Sequence, residues 1–306
     1  MKAAFIQAFG GPEAIALGEA RLRAPQADEI VVRVEATAIN PLDLKIIAGT
    51  MQQVFPIVLP YVPGTDFSGV VESVGSEARH LKVGSRVVGR SAPSLGGALA
   101  KQVVVAASAV VPMPAGMSFE QGAALPTAFG TASQALFDTG QLQAGETVLI
   151  HAGAGGVGSM AVQLAHEAGA RVIATASASN HELVRSLGAD DVIDYRTQDV
   201  FQLRGIDLVI DTLGGDTLAQ SWAVLGAGGR IATTVDFGIQ AREGHAGSFV
   251  FFADAARYLP AAFQLFEAGR LQVVTDGLFR FDDTRAALER LATGHARGKL
   301  IVRVDA

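Results

Sequence analysis

From Thr147 onward the chain alternates short apolar runs with stretches of helical period. Val148–Ile150 is a three-residue apolar run of the kind a buried parallel strand needs, and a glycine cluster follows it. Val157, Met160, Ala161, Leu164, Ala165 and Ala168 then recur at helical spacing until Gly169 interrupts the pattern. Further strand-like runs occupy Arg171–Thr175, Asp191–Asp194, Asp207–Asp211, Gly229–Thr234 and Phe249–Phe252. Helical stretches begin near Gly156, Asn180, Asp216 and Asp254. Strands and helices in that order predict an α/β fold with a doubly wound, six-stranded parallel sheet that takes a ligand at the carboxyl ends of its strands. Leu218, Trp222 and Leu225 form one helical stripe, which assigns Trp222 to the core.

The first 120 residues have a different texture. Lys2–Gln7, Glu29–Ala38, Gly69–Val74, Arg86–Gly89 and Lys101–Val105 are short β-branched runs separated by turn-forming residues, which predicts a small barrel or sandwich. Phe119–Leu125 and Gly130–Leu136 read as helices. After Gly269 the pattern shifts again: Leu271–Val274, Leu278–Phe281 and Lys299–Val304 read as strands around an amphipathic helix, Thr284–Ala292. That tail is too small for its own core, so it is expected to return to the first domain. The domains are placed at 1–121 with 270–306, and at 122–269.

Composition narrows the function. With 306 residues, 49% of them hydrophobic and 18% charged, the chain is expected to fold into two domains. A net charge of −6 disfavours binding to nucleic acid. There is no cysteine, which removes disulfides, thiolate-ligated zinc and a thiol nucleophile together. The six histidines are scattered without the close spacing of a local metal motif, so no metal is expected. The first residues lack the apolar core of a signal peptide, and no run approaches the roughly 18 apolar residues of a membrane span. A cytoplasmic location is the expectation.

The glycine cluster carries the chemistry. Gly153, Gly155 and Gly158 have the G-x-G-x-x-G spacing between a strand and a helix, the context of a dinucleotide turn. Gly153 is assigned the tight turn, Gly155 the approach of pyrophosphate, and Gly158 the contact of helix with strand. The helix N-terminus offers unpaired N–H groups and a positive dipole end. After Arg171–Thr175, a carboxylate would hold the ribose 2′-hydroxyl of NAD, but the chain runs Ala176-Ser177-Ala178-Ser179-Asn180-His181. Hydroxyls and an imidazole can donate to a 2′-phosphate, which favours NADPH.

Several segments resemble the zinc-free medium-chain dehydrogenase/reductases, specifically the quinone oxidoreductase group. They are Asn40-Pro41-Leu42-Asp43-Leu44-Lys45, Pro63-Gly64-Thr65-Asp66-Phe67-Ser68-Gly69-Val70-Val71 and Ala123-Ala124-Leu125-Pro126-Thr127-Ala128-Phe129-Gly130-Thr131-Ala132. The series continues with Ala154-Gly155-Gly156-Val157-Gly158, Leu187-Gly188-Ala189-Asp190, Ile193-Asp194-Tyr195-Arg196 and Gly294-His295-Ala296-Arg297-Gly298-Lys299, all in the family's order. The resemblance implies a GroES-like barrel completed by the C-terminus, with a Rossmann domain inserted and NADPH between them. It implies hydride transfer to a quinone or an α,β-unsaturated carbonyl compound, and a homodimer joined through the sixth strand. Zinc-dependent relatives carry ligands near Asn40 and Asp66, and the Cys and His among those ligands are absent here.

The cofactor set that the resemblance implies is Asn40, Thr127, Ala154, Gly155, Gly156, Val157, Ser177, His181, Tyr195, Leu213, Thr234, Val235, Phe251 and Lys299. Asn40 and Thr127 are also the catalytic candidates, as groups that face nicotinamide or substrate. Asp43 reads equally as a helix cap, Asp66 as a loop anchor, and Lys299 as a phosphate contact or the start of an edge strand. Met51, Phe55, Phe129 and Phe237 are candidates for an apolar pocket or for core. No tyrosine offers a general acid in Thr50–Phe55. An enoyl-thioester reductase is the alternative enzyme, and an NADPH-binding regulatory protein the alternative outside catalysis.

Overall fold

The computed structural model describes residues 1–78 and 80–304. In chain order the elements are β1 (Lys2–Phe5), β2 (Ala16–Glu19), β3 (Glu29–Ile39), α1 (Pro41–Ile47), β4 (Asp66–Val74), β5 (Arg86–Arg90), β6 (Gln102–Ala106), β7 (Val110–Pro112), α2 (Phe119–Ala123) and α3 (Pro126–Ser133). They continue with β8 (Thr147–Ile150), α4 (Gly156–Glu167), β9 (Arg171–Ala176), α5 (His181–Ser186), β10 (Asp191–Asp194), β11 (Ile206–Asp211), α6 (Gly215–Ser221), β12 (Leu225–Thr233) and β13 (Ala246–Phe249). The last are α7 (Leu259–Glu267), β14 (Thr275–Arg280), α8 (Thr284–Ala292) and β15 (Lys299–Arg303).

The chain forms two compact units. Unit 1 contains Met1–Thr127, Ala253–Glu267 and Thr275–Ala306; unit 2 contains Ala128–Phe252 and Ala268–Val274. The expected boundaries lie elsewhere. The first crossing falls inside α3 because Asp66 and Arg90 hold Thr127 in unit 1. Ala253, expected in the second domain, accepts from Arg90 Nη1 in the first unit.

Unit 1 is built on β3. Its eleven residues pair with β4, β6 and β15, all antiparallel, giving the order β14-β15-β3-β4-β5-β7 with β6 also on β3. Register shifts near Val31 and Val34 bend the strand, as bulges do, and curve the sheet around Ile30, Val32, Val34, Phe67 and Leu300. The C-terminal strand pairs Leu300 with Ile39 and Val302 with Thr37, so the tail completes the N-terminal sheet as expected. Lys299 opens an interior strand rather than the expected edge strand, since β14 lies on its other side.

Unit 2 is the expected six-stranded parallel sheet, ordered β10-β9-β8-β11-β12-β13. Val148, Leu149 and Ile150 have no exposed surface, because strands at the centre of such a sheet are covered on both faces. Gly169 ends α4 with φ +76°, a backbone state that glycine adopts without a Cβ penalty. The two strands flanking the reversal of strand order are β8 and β11.

Several expectations are corrected. The sixth strand is Ala246–Phe249 rather than Phe249–Phe252. Phe252 leaves the sheet and its ring covers Gly130, where an added Cβ would lie 2.3 Å from the ring. Leu271–Val274 forms no strand, because the Gln163 side chain takes both backbone groups of Gln272: Oε1 accepts its N–H at 2.7 Å and Nε2 donates to its carbonyl at 3.1 Å. The helix expected near Asp254 starts at Leu259. Trp222 lies against the unit 2 core, as read. Met51 and Phe129 are core residues, whereas Phe237 is half exposed and stacks on Phe249 at 4.2 Å.

Candidate functional site

In unit 2, the dinucleotide candidates gather at one edge. Ala154, Gly155, Gly156 and Val157 follow β8; Ser177 and His181 follow β9; Tyr195 follows β10. Leu213 follows β11, Thr234 and Val235 follow β12, and Phe251 follows β13. All the strands run parallel, so these residues share the carboxyl edge of the sheet. Asp211 stitches part of it: its carboxylate accepts from Leu213 N–H at 3.1 Å, Gly214 N–H at 3.0 Å and Thr233 Oγ1 at 2.6 Å.

The glycine turn is built from backbone contacts. Gly155 is the N-cap of α4 and offers no side-chain cap, which leaves first-turn N–H groups without a side-chain acceptor from the cap residue. An added Cβ at Gly155 meets only Ala152 O, at 3.2 Å, so the turn is open to an approaching group. At Gly158 the added Cβ would fall 2.1 Å from Ala152 O, so the close approach that needs this glycine is of α4 to the turn after β8 rather than to the strand itself. Gly153 differs from expectation. The left-handed residue is Ala152, at φ 54°, and Gly153 is required instead because Ala174 Cβ lies 2.8 Å from where its own would sit.

After β9, Ser177 Oγ accepts from Asn180 Nδ2 at 3.1 Å and lies 3.2 Å from Ser179 Oγ. His181 Nε2 lies 3.3 Å from the Ala176 carbonyl, which only accepts, so that nitrogen carries a proton and donates it to the backbone. The first carboxylate after the strand is Glu182, within α5. Tyr195 is half exposed, and the Arg196 guanidinium lies 5.6 Å from its ring centroid. Sequence reasoning overlooked Arg196 because it follows β10 rather than β9; that β10 neighbours β9 was the available signal.

In unit 1, Asn40, Thr127 and Lys299 belong to one buried polar network. Asn40 caps α1 and its N–H donates to Asp43 Oδ2 at 2.7 Å, the capping-box arrangement. Asn40 Nδ2 donates to Asp66 Oδ2 at 3.0 Å, and Asn40 Oδ1 accepts from Lys299 Nζ. Thr127 Oγ1 donates to Asp66 Oδ1 at 2.6 Å and accepts from Arg90 Nε at 3.0 Å. The polar atoms expected to face substrate are therefore bonded within the protein. Lys299 is corrected as a phosphate contact: its ammonium is buried and donates to the Ile39 carbonyl at 3.0 Å as well as to Asn40. Asp66 is the hub of this network rather than a loop anchor.

Burial dominates the electrostatics here. It raises Asp43 to about 7, helped by the Asp66 charge and opposed by the Asn40 N–H, Lys299 and Arg90. Burial also pushes the Lys299 ammonium and the Arg90 guanidinium down, while Asp66 and Asp43 hold both up. Asp43 Oδ1 has no hydrogen-bond partner among the described residues. No group of three or more His, Cys, Asp or Glu is arranged to hold a metal ion among those residues, and no described helix is long and apolar enough to cross a membrane.

Comparison with known proteins agrees with this architecture. Residues 26–115 match the alcohol dehydrogenase GroES-like domain, and residues 187–302 match the family described as zinc-binding dehydrogenase. The chain is 34% identical over 240 residues to the quinone oxidoreductase of Rattus norvegicus, covering 76% of this chain and 72% of that protein. It belongs to the zinc-free quinone oxidoreductase family of medium-chain dehydrogenase/reductases. It is also 35% identical over 315 residues to the chloroplastic NADPH-dependent alkenal/one oxidoreductase of Arabidopsis thaliana, covering 99% of this chain and 79% of that protein. The structure of the quinone oxidoreductase from Coxiella burnetii superposes with a TM-score of 0.93 at 32% identity, covering 99% of each chain.

Proposed function

We propose that this chain is an oxidoreductase that uses NADPH to reduce quinones or α,β-unsaturated carbonyl compounds. The observation that carries the reading is the carboxyl edge of the parallel sheet. A helix begins there without a side-chain cap behind an open glycine turn, and the neighbouring strand ends in hydroxyls and an imidazole instead of a carboxylate. These residues fit the cofactor. The Gly155–Val157 backbone would hold pyrophosphate, Ser177 with Arg196 the 2′-phosphate, and Tyr195 the adenine face. Leu213, Thr234, Val235 and Phe251 complete the edge along which the dinucleotide would extend.

Held there, NADPH would supply the hydride that an electron-poor carbon of the acceptor takes up. Asn40 and Thr127 act in this reading through the buried network that fixes them. The polar atoms of both side chains are already bonded within the protein, so neither is assigned as the donor of the proton that the reduced acceptor takes up. The similarity to proteins named as quinone and alkenal/one oxidoreductases supports the substrate class. The test is stopped-flow oxidation of NADPH with quinones, 2-alkenals and enoyl thioesters offered in parallel. Turnover of quinones or alkenals is the expected result. Turnover confined to enoyl thioesters would replace the substrate class, and no turnover with any acceptor would overturn the enzymatic reading.

A further inference from the structure

His151 is the last residue before the glycine turn, is 1% exposed, and has no part in the function proposed above. Its hydrogen bonds can be assigned atom by atom. Ser221 Oγ donates to the Thr217 carbonyl at 2.6 Å, which spends its only proton. His151 Nε2, 3.0 Å from Ser221 Oγ, must then be the donor in that pair. In a neutral ring Nδ1 is consequently an acceptor, and Thr175 Oγ1, 3.4 Å away, donates to it. With its proton committed to the ring, Thr175 Oγ1 accepts the Ala152 N–H at 3.1 Å. Burial keeps the ring neutral by pushing it down to about 4, against the pull of Asp211.

The chain of bonds ends on the strained residue of the turn. Ala152 holds φ 54°, which costs a non-glycine residue free energy and persists only where surroundings enforce it. Its carbonyl accepts Gly155 N–H at 2.9 Å and faces the bare Cα of Gly158, so its conformation sets where α4 begins. Gly153 N–H is held separately, by the Thr175 carbonyl at 2.8 Å. The ring therefore ties β8, β9 and α6 to one backbone N–H.

We propose that His151 is a positioning residue for the dinucleotide turn: as the Nε2–H tautomer it orients Thr175 so that Ala152 stays left-handed and the start of α4 meets the pyrophosphate. This inference rests on the NADPH reading of that edge.

The experiment measures dissociation constants by titration calorimetry for NADPH and for 2′-AMP, which carries the 2′-phosphate but no pyrophosphate. The proteins are the wild type, Thr175→Val, His151→Phe and His151→Asn, plus Ala152→Gly combined with Thr175→Val. Loss of one bond to the turn should weaken NADPH about tenfold in Thr175→Val and His151→Phe while 2′-AMP is unchanged. His151→Asn keeps an acceptor near the Nδ1 position and should retain most of the affinity. Ala152→Gly should restore NADPH affinity in the Thr175→Val background, because glycine adopts the turn conformation unaided.

Equal loss of both ligands, or NADPH affinity unchanged in Thr175→Val, would overturn the positioning role. So would failure of Ala152→Gly to rescue. If His151→Phe does not fold, Thr175→Val and its rescue decide, since the ring remains in place there. A wild type that binds 2′-AMP and NADPH no better than NADH and 5′-AMP would instead remove the NADPH reading beneath it.

Discussion

Lys299 Nζ lies 3.7 Å from Asp66 Oδ2, and the Asn40 amide bridges the two by accepting from one and donating to the other. Both charged side chains are buried, at 5% and 0% exposure. A buried pair of this kind costs desolvation to form and more to break. Lys299→Met keeps the apolar stem but leaves Asp66 short of a cation and Asn40 Oδ1 without a donor. The expected loss is about 3 kcal/mol of unfolding free energy, read by urea denaturation. The doubly substituted Lys299→Met/Asp66→Asn should lose less than the sum of the singles. Strict additivity would show that the pair is not coupled.

Asp43 gives this network a pH dependence of known sign. Its carboxyl is raised to about 7 from an ordinary value of 3.8, so the folded state binds more protons than the unfolded between those limits. Its contribution to stability is therefore most favourable below the unfolded value and is lost as pH rises toward 7. Asp43→Asn removes the titration while keeping an oxygen for the Asn40 N–H. Relative to wild type, the variant should gain stability between pH 5 and pH 8, by an order of 1–3 kcal/mol. Unfolding midpoints that differ by the same amount at both pH values would refute the shift.

How much of this was legible in the sequence follows from how far each signal reaches. The parallel sheet and the glycine turn were legible because Val148–Ile150 and the Gly153–Gly158 spacing are local patterns that no distant contact overrides. The commitment of Asn40 was not, because its partner Lys299 stands 259 positions away and arrives only when β15 pairs with β3. The left-handed state of Ala152 was hidden for a related reason. Sequence preference assigns such a backbone to Gly153, whereas the left-handed residue is Ala152, whose N–H is held by the Thr175 hydroxyl from the neighbouring strand, 23 positions away. Leu271–Val274 has a strand's composition, but a strand also needs a paired backbone, and Gln163 had taken that place.

His151 makes the opposite contribution to pH dependence. Its folded value of about 4 lies below the ordinary 6.5, so between these the unfolded state binds the extra proton. The ring's stability contribution is complete above the unfolded value and is lost as pH falls toward 4, amounting to roughly 3 kcal/mol once both states are protonated. His151→Asn, which does not titrate there, should flatten the acid side of the stability profile between pH 6.5 and 4. An acid limb identical to that of the wild type would assign the transition to other groups.

Cofactor choice ties the sequence to chemistry most directly. Ser177 stands at the carboxyl end of β9, where the chain meets an adenosine ribose in a fold of this kind. Its oxygen accepts from Asn180 Nδ2 and shares one proton with Ser179 Oγ at 3.2 Å, so when Ser179 donates in that pair the Ser177 proton can turn to a 2′-phosphate. Arg196, after the neighbouring strand, adds a positive charge that the His181 ring does not supply when neutral. Hydrogen bonds to a charged group contribute about 1.5–3 kcal/mol each before losses, and exposed groups keep the smaller part. A preference for NADPH over NADH of about tenfold or more is expected on that basis. Ser177→Asp places a carboxylate against the roughly two negative charges of the 2′-phosphate and should invert the preference. Arg196→Ala should weaken NADPH alone. The measurement is the dissociation constant of each dinucleotide for the three proteins. If wild type binds both equally and neither substitution changes either constant, this edge does not read the 2′-phosphate.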